Sequence, residues 1–176
     1  MTRPSMNRRL LLMRHAKSSW GDESLPDHDR PLSGRGRRAA EVVGAHLRAT
    51  ELLPDLVLCS SSARTRETFD RLGLHGIEVS FDERLYGAGG DELLGRLREL
   101  GTDVVTVLLI GHNPGVQELA LELVRPARTP EAARMGEKFP TGALAVFGVR
   151  AAWVELSAAK ARLETFVTPR DLSAAR

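Results

Sequence analysis

Four residues in this chain have the chemistry of an anion site: Arg14 and His15 in succession, Arg64, and His112. A guanidinium gives forked hydrogen bonds to nonbridging phosphoryl oxygens and offsets the charge that otherwise repels a nucleophile. A neutral imidazole beside it can attack phosphorus near physiological pH, and the phosphoramidate that forms is labile enough for water to attack in a second step. A second imidazole, if protonated beside the phosphate, adds another donor. Such a set needs no metal ion and no cofactor. Taken singly, each residue also has a bland reading, since Arg and His sit on ordinary surfaces and close off ordinary strands.

The elements that must position them are short apolar runs. Leu10 to Met13 reads as a buried strand that runs into Arg14-His15-Ala16-Lys17-Ser18-Ser19-Trp20. Leu56 to Cys59 reads as a second, leading into Ser60-Ser61-Ser62-Ala63-Arg64, where hydroxyl groups cap the start of a helix. Arg64 then faces the crevice and Arg66 the solvent. Val104 to Ile110 is the most apolar strand and stops at Gly111-His112-Asn113-Pro114-Gly115. Parallel strands share their carboxyl ends, so residues far apart in sequence converge on one edge of the sheet.

Between these runs the chain has helical periodicity. Ser33 caps a helix through Ala39, Val42, Val43 and Leu47, on whose apolar stripe His46 reads as structural. Ile77 to Phe81 is a further strand, and Asp91 is the expected cap of a helix through Leu93, Leu94 and Leu97. A helix from Val116 to Val124 follows. After Arg125 the pattern changes: Pro126 and Pro130 mark a connecting segment with a single helical turn, and Leu144–Val149, Trp153–Leu156 and Leu163–Val167 read as strands or short pieces. At least two of these pair antiparallel at a sheet edge. The expected architecture is α/β: a three-layer α/β/α single domain over residues 10–170 with a mainly parallel central sheet, an antiparallel edge strand and no lid subdomain. Residues 1–9 are expected to be a flexible N-terminal segment.

Composition narrows the functional classes. The 176 residues are 42% hydrophobic and 27% charged, as in an ordinary globular protein. The formal net charge is +2, from 25 basic and 23 acidic residues with no long basic block, which gives no support for a nucleic-acid partner. The apolar run after the basic N-terminus is too short for a signal peptide or a membrane span, so the expected location is cytoplasmic, with no membrane partner. Cys59 is the lone cysteine, so neither an intrachain disulfide nor a cysteine zinc cluster can form. It lies one residue too close to Arg64 for a cysteine-phosphatase loop, and no Gly-Lys-Ser/Thr phosphate loop is present.

With these residues in view, Leu12-Met13-Arg14-His15-Ala16 resembles the Arg-His-Gly signature of the histidine phosphatase superfamily, with Ala16 in place of the commoner Gly. Ser61-Ser62-Ala63-Arg64-Thr65-Arg66-Glu67-Thr68 is similar to its second-arginine motif and Gly111-His112-Asn113-Pro114 to its second-histidine motif. Arg30-Pro31-Leu32-Ser33-Gly34-Arg35-Gly36 resembles the segment opening the family's first helix. With Lys17-Ser18-Ser19-Trp20 and Phe139-Pro140-Thr141-Gly142-Ala143, the set most resembles the short bacterial branch named for the phosphohistidine phosphatase SixA.

The resemblance implies that His15 is the phosphorylated nucleophile and that Arg14, Arg64 and His112 form the phosphate pocket, with Lys17 and Ser18 as further substrate contacts. Glu83, in Glu83-Arg84-Leu85-Tyr86-Gly87, is similar to the proton donor of phosphoglycerate mutases and is the candidate general acid. The implied reaction is metal-free and cofactor-free hydrolysis of phosphohistidine in a protein, such as a phosphohistidine-bearing signalling domain. Two alternatives stay open: a small-molecule phosphomonoesterase or mutase, and a phosphate-binding module without turnover. Lys17 and Gly21 stand where the mutases carry Glu and Asn, which separates this chain from them.

Overall fold

The structure, a computed structural model, describes residues 7–175. β1 (Arg8–Arg14) is fully buried from Leu10 to Met13. Its side chains alternate: Leu10 and Leu12 enter one apolar cluster, Leu11 and Met13 the other. A strand covered on both faces needs this continuous run, and each fully buried leucine contributes about 1.5–3 kcal/mol relative to an exposed one.

β1 pairs in parallel with β4 (Thr106–Gly111), Leu10 opposite Val107, and antiparallel with β5 (Leu144–Val149). β2 (Leu56–Ser60) lies between β4 and β3 (Glu78–Asp82), parallel to both. β6 (Ala161–Val167) pairs antiparallel with β5, giving the order β3-β2-β4-β1-β5-β6. Helices α1 (Gly34–Ala49) and α2 (Ala63–Leu72) cover one face through Val43, Leu47 and Leu72, joined at the side by Leu172 of α6 (Pro169–Ala174). Helices α3 (Gly90–Arg98), α4 (Gly115–Leu123) and α5 (Pro130–Glu137) cover the other through Leu93, Leu97, Leu119, Leu123 and Met135. The fold is the expected three-layer α/β domain. From Glu83 to His112 the chain is occupied by a short 3-10 turn, α3 and β4, so that interval holds no lid.

Several boundaries differ from expectation, each for a visible reason. β1 starts at Arg8, because the Arg8 guanidinium donates to the Ala151 and Thr102 carbonyls and Arg9 pairs with Glu164. Arg8 and Arg9 of the segment expected to be flexible thus lie in β1, and residues 1–6 lie outside the described residues. The N-cap of α3 is Gly89, not Asp91: the Glu92 carboxylate accepts from the Gly89 N–H. The expected single turn after Pro126 is the two-turn α5, started by the Thr129 hydroxyl accepting from Ala132 N with Pro130 in the first turn. Trp153–Glu155 is a 3-10 turn and not a strand, since the buried Trp153 indole donates to the Val104 carbonyl. The domain also continues past residue 170 into α6. The antiparallel part is two strands, β5 inside the sheet and β6 at its edge.

Candidate active site

The chain leaves the sheet at the β1 and β4 carboxyl ends side by side. Arg14 pairs with Gly111, and His15 N donates to the Gly111 carbonyl at 3.0 Å, so His15 and His112 are neighbours. Their ring centroids lie 5.2 Å apart. Both are buried, at 7% and 8% exposed, and Arg64 joins them from the first turn of α2 at 6%. Arg14 is half-buried and is held by its Nη1 donating to the Phe139 carbonyl at 3.0 Å. The Asn113 side chain donates to the same carbonyl at 3.1 Å. Four of the residues expected to form the site are thus brought together.

The imidazoles are oriented by different partners. His15 Nδ1 lies 2.7 Å from the Ala16 carbonyl, which can only accept, so Nδ1 carries the hydrogen and Nε2 keeps its lone pair. Among the described residues Nε2 has no hydrogen-bond partner. Burial, followed by the charges of Arg64, Arg14 and Arg30, lowers the His15 pKa to about 4 against the bond to Ala16. His112 Nε2 meets the Ser60 hydroxyl at 2.8 Å, and burial, the neighbouring His15 and Arg64 lower its pKa to about 3. The second imidazole is therefore neutral in the free protein, where a protonated donor was one expectation.

Three polar atoms at this place are buried with no partner among the described residues: Arg14 Nε, Arg64 Nε and His112 Nδ1. An unpaired buried donor costs stability unless something satisfies it. Burial also lowers the Arg14 pKa, helped by the charge of Arg64.

Two residues that sequence reasoning missed complete the wall. Asp27, on a 3-10 turn (Asp27–Asp29), accepts from Arg64 Nη2 at 3.0 Å, and its carbonyl accepts from Arg64 Nη1 at 2.6 Å. The Tyr86 hydroxyl donates to Asp27 at 2.7 Å while its ring edge meets His112, centroids 5.5 Å apart. That hydroxyl, with the Arg30 and Arg64 guanidinium groups, holds the Asp27 carboxyl far below the usual carboxylate range. The Asp27 side chain is still 52% exposed, so its pair with Arg64 is solvent-screened and contributes little stability. Asp27 stands three residues before Arg30, whose guanidinium it also pairs with. Tyr86 closes the stretch in which only Glu83 was singled out.

The remaining expected residues lie around this group. Ser18 is buried and its hydroxyl accepts from Arg30 at 3.2 Å. Lys17 is exposed beside Arg14 in a separate hollow. Glu83 is exposed in a 3-10 turn (Glu83–Leu85) and among the described residues makes no side-chain hydrogen bond to the other four. Cys59 is buried in the core, and burial pushes its thiol pKa up to about 12, which leaves it inert.

Two glycines allow the close backbone approaches. A Cβ at Gly36, in the first turn of α1, would run into the Lys17 carbonyl. Gly142 has φ +78° and its N–H donates to both the Arg14 and His15 carbonyls, at 3.1 and 2.9 Å. The Ala16 N–H donates to the Thr68 hydroxyl, which donates onward to the Arg64 carbonyl, tying the loop after β1 to α2.

The fold and this cluster define a histidine phosphatase: residues 10–100 match the histidine phosphatase superfamily (branch 1), and the chain belongs to that family. A structure from Nakamurella multipartitia, a candidate phosphohistidine phosphatase SixA, is 35% identical with a TM-score of 0.85, covering 95% of this chain and 99% of its own. A second such candidate, from Agrobacterium tumefaciens, is 29% identical with a TM-score of 0.79, over 92% and 98%. An uncharacterised protein of Mycobacterium tuberculosis strain H37Rv is 39% identical over 90% of this chain and 100% of its own length.

Proposed function

We propose that the protein hydrolyses phosphohistidine on a protein partner in the cytoplasm, through a phosphorylated His15. The reading is carried by one observation: an imidazole whose Nε2 lone pair is left free by the Nδ1 bond to Ala16 stands in one cluster with polar atoms buried without partners, Arg14 Nε, Arg64 Nε and His112 Nδ1. His15 Nε2 attacks phosphorus, forming the N–P bond as the bond from phosphorus to the leaving nitrogen breaks, and that imidazole takes a proton. Water then attacks the phosphoryl group, the His15 N–P bond breaks, and inorganic phosphate leaves with His15 restored.

The guanidinium groups hold the nonbridging oxygens through both displacements. With the Ser60 hydroxyl donating to His112 Nε2, the neutral imidazole presents Nδ1–H to the same oxygens. Asp27 shares Arg64 with the phosphate and keeps that side chain aimed. Glu83 is the proton donor for leaving groups more basic than imidazole, and Lys17 and Ser18 flank the bound substrate. Metal-free chemistry is part of this proposal, so chelators leave the rate unchanged.

An open site fits a phosphate carried on a protein surface and gives few walls to bury a small ligand. Comparison of kcat/KM for a phosphohistidine-bearing protein, 3-phosphoglycerate and simple sugar phosphates in one buffer tests the substrate. The expected order puts the phosphoprotein first. Clear preference for a metabolite overturns it in favour of a small-molecule phosphomonoesterase.

A further inference from the structure

Arg14 has a second environment. Its other side lines a hollow of about 590 Å³ shared with Lys17, Arg35, Lys138 and Arg170. A shallower hollow of about 450 Å³ continues from it, sharing Arg35 and Arg170 and adding Arg38. The cations come from the loop after β1, the first turns of α1, the segment before β5 and the start of α6. Among the described residues no carboxylate and no aromatic side chain lines either hollow.

Elsewhere on the surface several arginines are paired, Arg9 with Glu164, Arg71 with Glu41, Arg84 with Asp82 and Glu99, Arg134 with Asp171, while those without an ion pair among the described residues, such as Arg128, Arg150 and Arg162, lie away from the pocket. The track differs. Lys17, Arg35, Lys138 and Arg170 are all exposed, and among the described residues none of them makes an ion pair or a side-chain hydrogen bond. With a net charge of only +2, the chain concentrates unpaired positive charge beside its phosphate pocket. A one-sign surface of this kind raises the local concentration of oppositely charged partners and orients their approach.

We propose that this track docks an acidic surface of the phosphorylated protein, seating Asp and Glu side chains while the phosphohistidine enters the pocket beside Arg14. The proposal rests on the phosphoprotein reading above and adds what that protein must carry. Two adjoining hollows offer more cations than the second phosphate of a small bisphosphate can engage. The absence of aromatic side chains from the lining removes the stacking platform that single-stranded nucleic acid uses.

The test uses two synthetic phosphohistidine peptides of equal length, one flanked by Asp and Glu and the other by Ser and Asn, with p-nitrophenyl phosphate as a substrate too small to reach the track. In the wild type the acidic peptide is expected to have a kcat/KM about ten- to hundredfold higher, carried by KM and reduced by added salt. The variant Arg35→Ala/Lys138→Ala/Arg170→Ala loses that preference but hydrolyses the neutral peptide and p-nitrophenyl phosphate at wild-type rates. Arg35→Lys/Arg170→Lys, which keeps the charge, retains it. Equal kcat/KM for the two peptides in the wild type, or an undiminished preference in the triple variant, overturns the docking track and leaves the phosphohistidine reading standing. Failure of both peptides while p-nitrophenyl phosphate is turned over removes the phosphohistidine reading, and the docking proposal with it. Loss of fructose bisphosphate turnover, or of oligonucleotide binding, in a triple variant whose peptide preference is intact reassigns the track to that ligand.

Discussion

The parallel and antiparallel parts of the sheet serve the pocket differently. β1, β2 and β4 deliver side chains at their carboxyl ends: Arg14 and His15, Arg64 by way of α2, and His112. The segment leading into β5 delivers backbone: the Phe139 carbonyl holds Arg14 and Asn113, the Ala143 carbonyl accepts from Arg14 N, and the Gly142 N–H caps the Arg14 and His15 carbonyls. Chemistry needs particular residue types, whereas aiming needs only main chain brought close. The two parts should therefore fail in different ways when altered.

The largest effect is expected from His15→Ala, which removes the nucleophile and should lower turnover at least about ten-thousandfold while the thermal transition stays cooperative. Acid-labile, base-stable phosphate labelling present in the wild type should vanish; label that persists in the variant moves the nucleophile elsewhere. Arg14→Ala and Arg64→Ala should each cost about a hundredfold or more, as for removing one preorganised donor. Steady-state kinetics with p-nitrophenyl phosphate reads both.

Gly142→Ala sharpens the contrast, since it touches no reacting group. Its left-handed backbone strains a side chain, and the new Cβ would lie 2.8 Å from Pro169 Cγ. A rate loss of about tenfold is expected from misplacement of Arg14 and His15. Wild-type kinetics in a folded Gly142→Ala protein would show that the antiparallel part does not aim the pocket.

Protonation of the imidazoles gives a smaller effect. Long-range nitrogen–proton NMR should find His15 and His112 neutral at pH 6, with His15 carrying its hydrogen on Nδ1, and protonating only near pH 4 and pH 3. Both folded values lie below the ordinary 6.5. The unfolded chain therefore takes up these protons first as pH falls, and the stability from the neutral rings, complete above pH 6.5, declines toward the folded values. Titration of either ring near 6.5 contradicts the burial argument. The smallest effect is expected from Glu83→Gln on phosphohistidine, with a larger one on alkyl phosphates, whose leaving oxygen needs the proton more. Equal losses on both substrates remove Glu83 from that role.

Legibility in the sequence followed the same division. The four central side chains could be placed because each follows an apolar run, Arg64 by way of the hydroxyl-rich start of α2, and parallel runs share an edge. Asp27 and Tyr86 could not: they meet across 59 residues, from a polar loop without periodicity and a glycine-bounded turn. Trp153-Val154-Glu155-Leu156 is too short for its apolar residues to decide between strand and turn, and the structure buries Trp153 and Leu156, three apart as in a 3-10 turn, with the Trp153 indole bonded to Val104 far along the chain. The helices α5 and α6 both carry a readable start, Thr followed by Pro, in Thr129-Pro130 and Thr168-Pro169.

Trp20 gives the pocket an optical reporter. It is 70% exposed, with the Arg30 guanidinium stacked 3.5 Å from its ring, and Arg30 grips the Asp27 carboxylate that holds Arg64. The chain's other tryptophan, Trp153, is 1% exposed and bonded to Val104, remote from this relay. Trp20 is thereby linked to Arg64 through Arg30 and Asp27, so an oxyanion that shares Arg64 with Asp27 is expected to change the emission of an indole in water, which follows occupancy without a dye, and Trp20→Phe should silence the signal.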